Sequence, residues 1–143
     1  PFDFLGFTHI CAKARNGKFI VLRQTKRKKM QAKLREIQIE LRRRLHDPVY
    51  EVGQWLQSVL LGHYRYYGVP RNYVALTIFR SQVIRLWKRS LERRSQKGKC
   101  SWERINRLRD LWLPVGCKKS VRSQPELKNA IREAIPLVDS LVA

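Results

Sequence analysis

The chain has 143 residues, with 31 Lys+Arg against 11 Asp+Glu and a formal net charge of +20. That length suits one domain with its own core, and a hydrophobic fraction of 43% excludes a disordered chain. Solubility alone asks for a net charge of only about 2–8 in a small domain, so so large an excess implies an acidic counterpart, either nucleic acid or an anionic membrane surface.

Residues 2–10, "FDFLGFTHI", alternate loosely and are rich in aromatics, and 18–23, "KFIVLR", is a second β-prone run. Asn16-Gly17 between them is a turn signal, so a two-stranded hairpin is predicted over 1–24. Such a hairpin is marginal by itself and must lean on the helices that follow or on another domain. Thr25 is the expected N-cap of a first helix whose stripe is Met30, Leu34, Ile37, Leu41 and Leu45. The rest of that helix is basic: Lys26, Arg27, Lys28, Lys29, Lys33, Arg35, Arg42, Arg43 and Arg44, opposed only by Glu36 and Glu40. Its expected length is about 30 Å.

Asp47-Pro48 reads as N-cap and first position of a second helix with the stripe Val52, Leu56, Val59, Leu60, His63, Tyr64 and Tyr67. Gly68 ends it and Pro70 follows. Asn72 is the expected cap of a third helix running to about Gln96, with Leu76, Phe79, Val83, Leu86, Trp87 and Leu91 inward. Arg80, Arg85, Lys88, Arg89, Arg93, Arg94, Lys97 and Lys99 continue the positive surface. "KGK" at 97–99 is a turn, and Ser101 caps a short helix with Trp102, Ile105, Leu108 and Trp112, stopped by Pro114. Trp87, Trp102 and Trp112 fall at stripe spacing, so all three are expected in the core. In the last segment Ser123 and Glu126 have capping-box spacing. Leu127, Ile131, Ile135, Val138 and Leu141 then predict an amphipathic helix, bent or split at Pro136.

No apolar run reaches the length of a membrane span and no secretory signal is visible. The cysteines, Cys11, Cys100 and Cys117, are odd in number and widely spaced, which suggests a reducing compartment, cytoplasmic or organellar. The chain opens on Pro1 and reads as a piece of something longer.

Enzymatic chemistry finds little support. The carboxylates form no paired motif in a loop for a divalent metal. Glu36 and Glu40 lie one turn apart among Lys and Arg, as local ion pairs do. There is no glycine-rich phosphate loop and no nucleophile elbow. His9, Cys11, Cys100 and Cys117 match no zinc-site spacing. Binding is therefore the expected activity, through the basic helix at 26–45, where each neutralised phosphate would release a counterion. A membrane surface competes as anionic partner, but the apolar stripes of three successive helices are better used against one another than in lipid. In "GHYRYYGVPRN", Gly62 to Asn72, His63, Tyr64 and Tyr67 are expected inward. Arg65, Tyr66, Arg71 and Asn72 are left to touch backbone, ribose or bases.

Taken in order, "FDFLGFTH", the basic amphipathic helix, "GHYRYYGVPRN", "RRSQKGKCSWERI" and "LWLP" resemble the C-terminal part of group II intron-encoded reverse transcriptases, from about Phe2 to about Pro114. "FDFLGF" is similar to the end of their palm, and the helices to the thumb, also called domain X or the maturase domain. The resemblance implies a mainly α fold: a β-hairpin over 1–24, a three-helix thumb over 25–114 and a divergent helical tail over 115–143. It implies binding of structured intron RNA for splicing and of the template–primer RNA–DNA duplex, beside an upstream finger and palm. It carries RNA contacts onto Lys26, Arg27, Lys28, Lys29, Lys33, Arg65, Tyr66, Arg71, Asn72, Arg93, Arg94, Ser95 and Gln96. The family's catalytic aspartates and their Mg2+ belong upstream, so these residues imply no cofactor and no catalytic group. After Pro114 the sequence leaves the family pattern and shows no His/Cys endonuclease cluster. Two other readings stand beside this one: a generic DNA-binding helical domain, and a protein-interaction module of a larger enzyme.

Overall fold

A computed structural model of the chain describes residues 1–94 and 99–116. The expected tail helix, its Ser123–Glu126 capping box and most of the 97–99 turn lie outside the described residues. The fold is mainly α with an N-terminal antiparallel sheet. Strands β1 (Phe2–Phe4), β2 (Phe7–Lys13) and β3 (Phe19–Thr25) form a meander, followed by helices α1 (Arg27–Arg43), α2 (Val49–Tyr67), α3 (Tyr73–Arg94) and α4 (Trp102–Trp112).

The hairpin has a third strand that the alternation of "FDFLGFTHI" conceals. Leu5 and Gly6 both take positive φ, 47° and 82°, and fold the run back so that Phe4 pairs with Phe7. Two central residues of positive φ give the turn whose twist suits two antiparallel strands. The Asn16-Gly17 turn forms as expected. Gly17 N–H donates to the Ala14 carbonyl at 2.9 Å, Ala14 N–H donates to Lys18 at 2.8 Å, and Gly17 sits at φ 78°.

In α1, Ile37 and Leu41 are buried, with Met30 and Leu34 packed at the edge of the core. Thr25 does not cap α1. It stays in β3, and Lys26 precedes the helix with no side-chain cap. Because α1 ends at Arg43, it is about 26 Å long and leaves Leu45 beyond its end. Pro48, not Asp47, sits at the N-cap of α2. Gly68 closes α2 at φ −74°, outside the left-handed region. Glycine is required there for space instead, since a Cβ would lie 2.3 Å from the Tyr64 carbonyl oxygen. Ser101 caps α4 as predicted, its hydroxyl accepting from Arg104 N–H at 3.3 Å.

Helix α1 packs principally on α3, and α2 on α4, with α3 touching both members of that second pair. Trp87 and Trp112 are fully buried at the centre. Trp102, expected with them, is 57% exposed. It occupies the first residue of α4, and its ring lies under Lys88 Nζ at 5.1 Å on the flank of α3 rather than between helices. Among the described residues no helix is long and apolar enough to cross a membrane.

The α2–α4 crossing is set by Gly53, where an added Cβ would meet the Trp112 ring at 2.7 Å. Gly62, about two and a half turns along on the same helix, has nothing within 4 Å of the same position. Gly53→Ala should therefore lower stability by about 1–3 kcal/mol through overpacking. Gly62→Ala should raise it by about 0.5–1 kcal/mol by removing backbone freedom from the unfolded chain. Urea unfolding of the two variants checks the opposite signs.

Candidate nucleic-acid interface

The segment Gly62–Asn72 is the joint between sheet and helices before it is anything else. Asn72 is 1% exposed, and its amide is fully engaged. Thr25 N–H donates to its Oδ1 at 3.0 Å, and its Nδ2 donates to Thr25 Oγ1 and to the Tyr67 carbonyl, both at 2.8 Å. Placed among the RNA contacts by resemblance, Asn72 is instead closed to any ligand. Nor does its side chain cap α3; only its backbone carbonyl does, accepting from Leu76 N–H at 3.3 Å. Tyr66, expected to face a ligand, turns to the sheet: its hydroxyl donates to the Leu5 carbonyl at 2.8 Å and its ring stacks on Phe7 at 6.0 Å. More than half of Tyr66 nonetheless stays exposed. Tyr64 is buried, its hydroxyl donating to the Pro114 carbonyl at 2.9 Å, and burial pushes its pKa up to about 12.

The cations divide into those held by the fold and those left open. Lys26 Nζ lies 2.7 Å from Asp3 Oδ2, and this contact, with the hydrogen bond from Thr8, holds the Asp3 carboxyl below its ordinary range. Lys33 pairs with Glu36 at 3.0 Å, and Glu40 takes Arg44 at 2.9 Å and Arg43 at 3.7 Å, as the local pairing of Glu36 and Glu40 predicts. Lys88 pairs with Glu92. Arg80 leaves the positive surface altogether. It is half-buried, with Nε and Nη2 donating to the Leu113 carbonyl at 3.2 and 2.9 Å at the end of α4, and burial lowers its pKa.

Exposed cations without an ion pair among the described residues occur in the sheet region (Lys13, Arg15, Lys18, Arg23), at the α2 end (Arg65, Arg71) and on α4 (Arg107) as well as on α1 and α3, where six of them form two ridges. On α1, Lys28, Arg35 and Arg42 recur every seven residues and so share its outward side over about 21 Å. On α3, Arg85, Arg89 and Arg93 recur every four residues and share one side of that helix. None of the six has an ion pair among the described residues. The signal for them lay in the spacing: Arg35, Arg42, Arg85 and Arg89 belong to the basic surface read from sequence, but the resemblance did not carry contacts onto them.

Beside the α1 ridge, an open cleft of about 510 Å³ lies between α1 and α2. Lys29, Lys33 and Tyr66 line it with Ser58, Val59 and His63, so it gathers three of the expected contacts. Arg27 is exposed at the start of α1, Arg65 in the last turn of α2, and Arg71 in the α2–α3 turn. Arg93 and Arg94 are exposed about 30 Å away, at the far end of α3. Ser95 and Gln96 lie outside the described residues. The expected contacts thus fall in two groups at opposite ends of α3, not in one patch.

His63 forms part of the cleft wall but is 7% exposed, with its ring stacked on Phe79 at 3.7 Å and its Nε2 unpartnered. Desolvation, reinforced by Lys33, lowers its pKa to about 4, so it is neutral at physiological pH. Comparison of the chain with protein-family models, curated proteins and solved structures gives no match.

Two measurements follow. Asn72→Ala strands the Thr25 N–H and the Tyr67 carbonyl and should cost about 2–4 kcal/mol in urea unfolding; an unchanged midpoint would contradict its role as a bracket. As pH falls from 6.5 toward 4 the unfolded chain takes up a proton at His63 that the folded chain refuses, so stability is complete above that window and drops within it by up to about 3 kcal/mol. His63→Phe should flatten the dependence across that window in unfolding midpoints measured at several pH values.

Proposed function

We propose that the chain is an RNA-binding domain of the thumb, or maturase, kind, gripping structured RNA through phosphate contacts along α1 and α3. The resemblance to group II intron-encoded reverse transcriptases supplies the family. The observation that carries the binding is the set of cations on the two ridges, exposed and without carboxylate partners among the described residues. Side chains so placed repel one another until an extended polyanion lies across them. A rod of cations about 21 Å long fits a nucleic-acid backbone, and recognition through backbone and shape suits structured RNA. The mechanism is binding and positioning. The bonds would be made elsewhere, by a finger and palm portion carrying aspartates and Mg2+, which the resemblance puts upstream.

The test replaces Lys28, Lys29 and Arg35 together by glutamine; all are on α1, and Lys28 and Arg35 are on its outward ridge. The fold should persist, and the slope of log affinity against log salt for a structured RNA should fall by about 2–3. An unchanged slope excludes this face. Tighter binding to group II intron RNA than to an unrelated structured RNA of equal length supports the maturase reading; equal binding at physiological salt leaves only general polyanion affinity. Complete absence of salt-sensitive binding would favour the protein-interaction reading.

A further inference from the structure

Where the C-terminal halves of α1 and α3 meet, the two ridges converge on a small notch of about 100 Å³. Arg42 enters it from α1, and Arg89 and Arg93 from α3. Its floor is apolar, made by Leu41, Leu45 and Leu86, and Gln38 and Ser90 add uncharged polar groups. No carboxylate appears among these residues, and none of the three arginines has an ion pair among the described residues.

Arg42 and Arg93 lie in the last turns of their helices, where a cation favours the negative end of the macrodipole. Two helix C-termini amount to about one negative charge in total. Three guanidiniums exceed that, and Arg43 and Arg94 occupy the same last turns. Arg89 stands a turn further back in α3, where the dipole has already faded. The notch therefore keeps a net positive charge that the described residues do not neutralise.

We infer that this notch is a phosphate site, with Arg42, Arg89 and Arg93 contributed from two helices as planar forks around one tetrahedral anion. Guanidinium groups suit this ligand because each offers paired N–H donors to phosphate oxygens. The phosphate has two possible sources, a backbone diester of the RNA or free inorganic phosphate. Only the first rests on the nucleic-acid reading.

The experiment follows the arginine Nε–Hε NMR signals of the full 143-residue chain during titration with sodium phosphate, and with sodium chloride at matched ionic strength. The expected result is a saturable shift of the Arg42, Arg89 and Arg93 signals with phosphate alone, abolished by Arg89→Gln and weakened by Arg89→Lys, which keeps the charge without the fork. Arg89 is exposed, so both variants should retain the parent's amide spectrum elsewhere. Joint replacement of Arg42, Arg89 and Arg93 by glutamine should also lower the RNA salt slope by about 2–3. Phosphate saturation with an unchanged RNA slope supports the site and makes free phosphate its ligand. Linear shifts that are the same with phosphate and chloride would overturn the site, whatever the Lys28, Lys29 and Arg35 replacement does to RNA binding. Conversely, loss of the RNA reading in that replacement leaves the phosphate titration standing on its own.

Discussion

The side-chain amide of Asn72 is the constraint on which the arrangement of the molecule depends. The sheet has no core of its own: Phe2, Phe4, Phe19 and Val21 are all exposed by more than half. It is attached at one corner, where Asn72 joins Thr25 at the end of β3 to Tyr67 at the end of α2. Phe7 fills the space above, against Tyr66 and Tyr67, and Gly6 passes so close that a Cβ would lie 2.9 Å from the Tyr67 hydroxyl oxygen. Thr25 comes two residues before α1 and Asn72 one residue before α3. The same bracket therefore sets the starts of both helices side by side. Their later turns meet again at Leu41 and Leu86, so α1 and α3 run in the same direction. Two helices running parallel bring their negative ends together, and that is where the chain concentrates arginine.

The distribution of carboxylates gives the charge its consequence. Glu36, Glu40, Glu92 and Asp110 each meet a cation within four residues in sequence, and among the described residues only Asp3 reaches across to another element. Exposed pairs of this kind contribute about 0.2–1 kcal/mol each, which does little for stability. Their larger effect is positional. They neutralise Lys26, Lys33, Arg43, Arg44, Lys88 and Arg109, while Arg80 serves the end of α4. Among the described residues the unopposed cations include Lys13, Arg15, Lys18 and Arg23 in the sheet region and Arg65, Arg71 and Arg107 elsewhere, and those on α1 and α3 are the ones that fall in ridges.

The helical part of this fold was legible because its signals are local and periodic. Ile37 and Leu41, Leu56 and Leu60, and Phe79 and Val83 lie at helix spacing and are all buried. The Ser101 cap and the Asn16-Gly17 turn are short-range hydrogen-bond chemistry, and both form. What sequence spacing missed depends on distant partners. Asn72 before a helix has the composition of a cap, yet Thr25, 47 residues away, claims its side chain. Tyr66 projects away from the α2 stripe, and only the return of β1 at Leu5 gives its hydroxyl a partner. Arg80 is indistinguishable in sequence from Arg85, until the α4 carbonyl at Leu113 separates them. The third strand was concealed because its turn places leucine, not glycine or asparagine, at a residue of positive φ. For the candidate site, composition gave the helices, but carboxylate pairing decided which cations stay open, and pairing across turns is a property of the folded chain.

Among the described residues the two non-glycine positions of positive φ, Leu5 and Arg71, both border the joint. Such a conformation costs roughly 1 kcal/mol and persists where surrounding contacts over-determine it. At Leu5 the carbonyl is fixed by the Tyr66 hydroxyl. At Arg71 the left-handed residue directly precedes Asn72 and turns the chain so that the Asn72 amide faces back toward Thr25 and Tyr67. Glycine would meet that backbone requirement with less strain. The arginine side chain is exposed and meets no carboxylate among the described residues, so the backbone at 71 belongs to the joint while the charge does not. The turn that locks the sheet to the helices thus also presents a cation outward. At this corner the geometry that stabilises the fold and an exposed positive charge come from the same residue, through different atoms.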